Sequence, residues 1–322
     1  MEFTIKKWSE LSKHDRERIY TRSEAAIDEA IDKAREIAER VKNEGDIALR
    51  EFTLSFDGVD LGARPFLVTD EEYERAEKQL DTELLEAIGM AVDNVMRFHR
   101  SQRPEGLQMV ETTPGLYAGE RATPIPSTGL YVPRGKGSFP SMLYMMAVPA
   151  RLAGVPRICV TTPPNSDGGV DAACLYAARL CGVHEVYRLG GAQAVAALAY
   201  GTDSITAVDK IVGPGSPFVS AAKRLLSGVV DTGLPAGPSE SIVLADGSAD
   251  PWKVALDLTI EAEHGPDSSA LLVTDSPDLC TRVTKALTRI VADLPEPRRG
   301  YVEAVLNGYG GIILADGMRE AA

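Results

Sequence analysis

A glutamate and a histidine three residues apart carry the strongest chemical signal in this chain. They lie in Glu261-Ala262-Glu263-His264-Gly265-Pro266-Asp267-Ser268. Residues at this spacing share one face of a helix, so Glu261 and His264 can point at a single centre. A carboxylate beside an imidazole suits Zn2+ or another divalent ion. Gly265-Pro266 should stop the helix there and leave His264 at its tip. The same pair also fits an exposed Glu and His near a helix C-terminus, where the dipole favours His. Two ligands do not by themselves complete a metal site.

Three strand-to-helix junctions are glycine-rich: Gly135-Lys136-Gly137, Gly190-Gly191 and Gly213-Pro214-Gly215. Glycines at such places let a backbone approach a phosphate at a helix N-terminus, and they equally make tight turns. No Gly-x-Gly-x-x-Gly or Walker pattern is present, and the strand ending Thr161-Thr162-Pro163-Pro164 lacks the acid that would hold a ribose. Ser216-Pro217 reads as a helix N-cap followed by the favoured first helical residue. His14, His99 and His184 sit in no Ser-His-Asp or Cys-His arrangement.

The elements that must position these residues change character along the chain. Up to about residue 110 the pattern is helical, with Ile27, Ile31, Ala34, Ile37, Ala38 and Val41 at helical spacing and Gly45 as a stop. A second helix runs through Leu49, Phe52 and Phe56 to the Asp57-Gly58 turn, and a third spans Leu84 to Phe98. After Gly129, short β-branched runs alternate with helices. The runs are 130–132, 158–161, 186–189, 210–212, 242–244, 271–273 and 312–314. This predicts an α/β fold of βαβ units around mostly parallel sheets, in two modules broken near Pro235-Ala236-Gly237-Pro238.

Composition bounds the function. The 322 residues carry a formal net charge of −13, which argues against a nucleic-acid or anionic-membrane surface. Apolar residues at 44% can build a core without staples. No apolar run approaches the ~20 residues that span a bilayer, and charges interrupt the first eight residues where a signal peptide needs an apolar region. A soluble, cytoplasmic protein is expected. Cys159, Cys174, Cys181 and Cys280 form no Cys-x-x-Cys pair and read as core thiols.

Taken together, the motifs resemble the histidinol dehydrogenase family. The matching stretches are Glu44-Gly45-Asp46-Ile47-Ala48-Leu49-Arg50, Gly129-Leu130-Tyr131-Val132-Pro133, Gly190-Gly191-Ala192-Gln193-Ala194, Asp209-Lys210-Ile211-Val212-Gly213-Pro214-Gly215, Ala236-Gly237-Pro238-Ser239-Glu240 and the 262–268 segment. They keep the family's order and spacing from about residue 20 onward. The resemblance implies a zinc-dependent homodimer that oxidises the amino alcohol L-histidinol to L-histidine through the aldehyde, using NAD. It implies two incomplete Rossmann-like modules, one inserted in the other. Mapped here, residues 1–25 form an N-terminal helical arm, 26–129 and 239–322 one module, and 130–238 the inserted NAD-binding module. NAD contacts fall at Tyr131, Gln193 and Ser216, substrate contacts at Ser239, Glu261 and His264, and zinc ligands at Glu261 and His264.

Departures from the family pattern bear on the chemistry. Glu261 stands where the family has Gln, and a carboxylate lowers the net charge on a bound metal. Ser216 replaces an Asn, and Arg134-Gly135-Lys136-Gly137 adds positive charge where the family has Gly-Gly. These changes suit a homologous dehydrogenase acting on another amino or sulfonated alcohol. The family's proton-transferring Glu-His pair and its remaining zinc ligands match no position up to Ala322, so no catalytic residue is assigned and the zinc site is expected to be incomplete. A non-catalytic NAD- or partner-binding remnant is the third reading. The expected outcome is negligible NADH formation from L-histidinol by this 322-residue chain with zinc added, since general acid–base catalysis alone is worth about 10²–10⁴-fold. Turnover matching a full-length relative would overturn it.

Overall fold

Short β-branched runs become strands because their branched side chains pack well on a pleated surface. The computed structural model describes residues 3, 5–20, 22–134, 137–233 and 239–322. Among these there are ten strands: β1 (Ile5–Lys7), β2 (Leu107–Thr113), β3 (Leu116–Arg121), β4 (Ser127–Tyr131), β5 (Arg157–Thr162), β6 (Glu185–Arg188), β7 (Lys210–Val212), β8 (Glu240–Leu244), β9 (Ser269–Thr274) and β10 (Gly311–Leu314). All seven runs expected from the sequence after Gly129 are strands. The chain divides into two compact units, Ala26–Gly237 and Met1–Ala25 with Pro238–Ala322.

In Ala26–Gly237 the sheet is fully parallel, with order β6-β5-β4-β7. Strand order reverses between β4 and β7, and open α/β sheets bind ligands outside the carboxyl ends of the strands at such a switch point. Alternation along the strands divides the core between two faces. Tyr131, Cys159, Tyr187 and Ile211 pack with the helices Arg22–Glu44, Asp46–Phe52, Gly191–Tyr200 and Pro217–Leu226. Leu130, Val132, Val160 and Val186 pack with Asp70–Gln79, Thr82–Arg100, Pro140–Leu152 and Ala172–Leu180. Residues 26–129 therefore share a unit with 130–237, whereas the sequence placed them with 239–322. The apolar stripe at Ala30–Val41 finds its partner on the 127–212 sheet.

The other unit has a parallel sheet of order β1-β10-β9-β8. Helices Pro251–Ala262, Pro277–Asp293 and Arg298–Asn307 build its core. The first residues are not purely helical as expected: β1 precedes the helix Lys13–Tyr20 and lies beside β10. Its three residues, Ile-Lys-Lys, are too few to show an alternating pattern. A second difference is the β2–β3 hairpin, which starts within the stretch read as helical and runs through residues given no element, and which is exposed along both strands. Two boundary segments, Gly135-Lys136 and Pro235-Ala236-Gly237-Pro238, lie outside the described residues, as do Met1, Glu2 and Thr4. No helix among the described residues is long and apolar enough to cross a membrane.

A buried ion pair fixes the edge of the first sheet. Arg188, fully buried at the end of β6, donates to Glu72 Oε1 at 2.9 Å and Oε2 at 2.5 Å, and to the Gly168 carbonyl at 3.0 Å. Arg64 adds a bond to Glu72 Oε1 at 2.6 Å. Residues 66–68 lie along β6, with Val68 N–H donating to the Val186 carbonyl and Arg188 N–H to that of Phe66, both at 2.9 Å. Burial by itself pushes the Glu72 carboxyl up. Hydrogen bonds from Arg188, the Thr69 amide and Arg64 outweigh it and hold the group at about 2, against an ordinary 4.5. Arg188→Met, which leaves Glu72 only Arg64 and the Thr69 amide, should cost about 3 kcal/mol in urea unfolding, the low end for a broken buried pair. The native pKa is depressed, so this contribution is complete above pH 4.5 and lost as pH falls toward about 2. The variant should show a correspondingly flatter acid limb.

Candidate functional site

Tyr131 ends β4 at the switch point and is buried, its hydroxyl accepting the Gly191 N–H at 3.0 Å. Burial pushes its phenol up to about 12; the Gly191 amide opposes the shift and the Asp57 carboxylate adds to it. The bond brings the turn after β6 across to the end of β4. Gln193 is the third residue of helix Gly191–Tyr200 and only 1% exposed, yet neither its Oε1 nor its Nε2 has a hydrogen-bond partner. Buried amides in native proteins are nearly always paired, so this one has a donor and an acceptor left over for a further group. Tyr131 and Gln193, both expected from the resemblance to contact NAD, thus meet the same Gly191 turn.

Ser216 follows the Gly213-Pro214-Gly215 turn after β7. Its backbone has N-cap geometry and its carbonyl accepts the Ser220 N–H at 3.0 Å, but its side chain makes no cap hydrogen bond. The hydroxyl is exposed and available to a ligand. Lys223, buried beneath this turn, donates to the Gly213 carbonyl at 3.1 Å and so fixes the loop. Burial, with Lys210 nearby, lowers the pKa of that ammonium. In the same motif Asp209 serves the opposite end of the sheet, accepting from the Ser127 hydroxyl at 2.5 Å. Arg134 donates to the Pro164 carbonyl at 2.9 Å, and its expected partners in charge, Gly135-Lys136, are not described.

Ser239, Glu261 and His264 belong to the other unit. Ser239 is exposed one residue before β8, its carbonyl accepting the Ser269 N–H at 3.0 Å. Helix Pro251–Ala262 ends beside the pair, as Gly265-Pro266 requires. His264 Nδ1 donates to the Ile260 carbonyl at 2.8 Å. A carbonyl can only accept, so in the neutral ring Nε2 carries the lone pair, which is how metal-binding imidazoles are held. Glu261 Oε1 lies 3.9 Å from His264 Nδ1 and is buried without a hydrogen-bond partner. Glu263 is committed elsewhere, to Arg298 at 2.8 Å. Glu261 and His264 therefore fit a divalent ion as two donors from one helix end. Among the described residues no group of three or more His, Cys, Asp or Glu side chains converges on a common point.

Comparison with known proteins identifies the family. The family model for histidinol dehydrogenase matches residues 20–322. A histidinol dehydrogenase of Synechocystis sp. is 49% identical over 98% of this chain and 73% of its own length. A "histidinol dehydrogenase homolog" of Rhizobium meliloti is 50% identical over 98% and 69%. The chain belongs to the histidinol dehydrogenase family. A solved histidinol dehydrogenase from Elizabethkingia anophelis superposes with a TM-score of 0.83 at 36% identity, covering 89% of this chain and 65% of that one. The family fold, mixed α/β with mostly parallel sheets, is that of the structure described above.

One residue of this family member escaped the sequence reading. Asp57 had seemed only the first half of an Asp-Gly turn. It closes a single wide helical turn, Thr53–Asp57, before Gly58 at φ 68°, and its Oδ2 is buried without a partner. The four cysteines, by contrast, are the core thiols expected: all are buried and free, and burial pushes Cys181 up to about 11 and Cys159 to about 12.

Two glycines keep the turns open. A Cβ on Gly191 (φ 67°) would meet Gln193 Oε1 at 2.3 Å, and one on Gly213 (φ 126°) would meet the Tyr131 carbonyl oxygen at 2.2 Å. Gly191→Ala should destabilise by about 1–2 kcal/mol, the cost of a left-handed alanine, because the Gln193 amide can swing away. Gly213→Ala should cost more, because it strikes backbone that cannot. Paired urea titrations will show this order if the two turns are built as described.

Proposed function

We propose that this chain holds the cofactor- and substrate-binding residues of an NAD- and zinc-dependent alcohol dehydrogenase of the histidinol dehydrogenase type, whose reaction is the oxidation of L-histidinol to L-histidine by way of the aldehyde. The observation that carries the reading is the turn at Glu261 and His264, where an orphaned carboxylate oxygen stands beside an imidazole oriented to present Nε2. Held by Glu261 and His264, a divalent ion would supply polarisation of the alcohol oxygen, and a nicotinamide held by Tyr131, Gln193 and Ser216 would supply the hydride acceptor. The chain's own residues bind and orient. Glu261 and His264 would hold the ion and the substrate's polar atoms, with the Ser239 hydroxyl as a further substrate contact. Tyr131, Gln193 and Ser216 would hold the cofactor, with Gln193 offering both a donor and an acceptor. Glu261, as an anion, also attracts the ammonium of an amino alcohol while reducing the metal's net charge.

That carboxylate, with Ser216 in place of an amide, supports a second reading: a homologous dehydrogenase for another amino alcohol or a sulfonated one. The β2–β3 hairpin supports a homodimer. Leu107, Met109, Val110, Leu116 and Tyr117 are all exposed on it, and a lone two-stranded hairpin is marginal in water. Four buried free thiols are in keeping with a reducing, cytoplasmic setting.

Calorimetric titration of L-histidinol with and without Zn2+ tests the proposal on this chain. Binding should require the ion and should vanish in Glu261→Ala and His264→Ala. Zinc-independent binding, or indifference to both substitutions, would refute it. Tighter binding of a sulfonated alcohol would favour the second reading.

A further inference from the structure

Eight buried side-chain polar atoms among the described residues lack a hydrogen-bond partner, and four of them belong to three residues tied to Tyr131 by strand register, by the Gly191 turn or by charge. They are Asp57 Oδ2, Thr161 Oγ1, and Gln193 Oε1 and Nε2. Thr161 is the register partner of Tyr131 in the parallel pair β4–β5, so the two side chains leave the same face of the sheet. The Gln193 amide packs over Gly191, whose N–H meets the Tyr131 hydroxyl. The charge of Asp57 acts on the Tyr131 phenol, and Arg134 acts in turn on Asp57. All of these residues belong to one compact unit, Ala26–Gly237. Native proteins pair more than ~90% of such atoms. A concentration of orphans at the carboxyl ends of parallel strands marks a place where a polar ligand completes the bonding.

Dinucleotide-binding modules usually hold the adenosine ribose with an acid at the end of the second strand. Here that strand, β5, ends in Thr161-Thr162-Pro163-Pro164 and offers none. We infer that Asp57, delivered from the wide turn Thr53–Asp57 outside the strand-helix alternation, is the acid that accepts the ribose hydroxyls of the nicotinamide cofactor and selects NAD over its 2′-phosphorylated form. The inference rests on the NAD reading above. Asp57 suits the task chemically. A carboxylate accepts both hydroxyls of a vicinal diol and repels a phosphate in their place. One-turn π-helical insertions recur at functional sites, because they turn a side chain away from the regular helical path. The free protein bears a cost for the arrangement: burial pushes the Asp57 carboxyl up to about 6 from 3.8, with Arg134 opposing. A raised native pKa means that the ionised group weakens the fold as pH climbs through that interval.

The test is calorimetric titration of NAD+ and NADP+ into the parent chain and Asp57→Asn, with thermal midpoints measured at pH 7.5. Asp57→Asn should weaken NAD+ by about tenfold or more, the scale of a lost hydrogen bond to a charged acceptor. It should weaken NADP+ less, and its midpoint should equal or exceed the parent's. A merely structural Asp57 would instead lower the midpoint and leave the NAD+/NADP+ ratio unmoved. Unchanged NAD+ affinity, an equal loss for both dinucleotides, or a loss accompanied by a lower midpoint in both Asp57→Asn and Asp57→Ser overturns the inference and leaves the NAD reading standing. A parent chain that binds no NAD+ overturns both.

Discussion

The Arg188–Glu72 pair is the interaction on which the geometry around Tyr131 and Gln193 hangs. Arg188 is followed directly by Leu189, Gly190 and Gly191, so the residue that fixes the sheet edge also fixes the start of the turn carrying Gln193. A guanidinium with no solvent contact must satisfy its donors from fixed acceptors, and Glu72 with the Phe66, Leu67 and Gly168 carbonyls supplies them. Those acceptors come from three separate stretches. The pair therefore converts three loosely related segments into one rigid edge, which specifies geometry more than it adds stability.

Above that edge the polar groups follow a different rule. Around Arg188 every donor is matched, whereas around Tyr131 several buried atoms are left open within the same unit. The fully bonded edge holds the turn that carries the unpaired Gln193 amide in one place. The Lys223–Gly213 bond does on the β7 side what Arg188 does on the β6 side. At the other unit's helix end, the Ile260 carbonyl plays the corresponding part by setting the tautomer of His264.

How much of this was legible in the sequence follows from the range of the forces involved. β-branched runs and helical spacing act locally, so the strands after Gly129 and the helices between them could be read directly. The Glu261–His264 pair was readable because both residues sit on one helical turn. Gln193, Tyr131 and Ser216 were reached through resemblance, since nothing local marks Gln193 as unpaired. Asp57 was missed because the groups its charge acts with, Tyr131 and Arg134, lie more than seventy positions along the chain. The membership of 26–129 was likewise a tertiary matter. A stripe of Ala and Ile states that a helix will pack but not against which sheet. The hairpin was missed because its exposed strands show no inside-outside alternation.

The pairing of β1 with β10 has a consequence for biosynthesis. Residues 5–7 leave the ribosome well before their hydrogen-bonding partners at 312–314, which follow some three hundred residues later. The intervening Ala26–Gly237 unit is complete well before then and, built largely from neighbouring βαβ contacts, can fold as it emerges. Throughout that interval the N-terminal segment must stay solvated and unclaimed by other strands. Its sequence is suited to waiting: β1 contains two adjacent lysines, and the helix Lys13–Tyr20 that follows is predominantly charged. Charge of that kind discourages stray edge-to-edge pairing, so the composition that hid this strand from the sequence reading also protects it during synthesis.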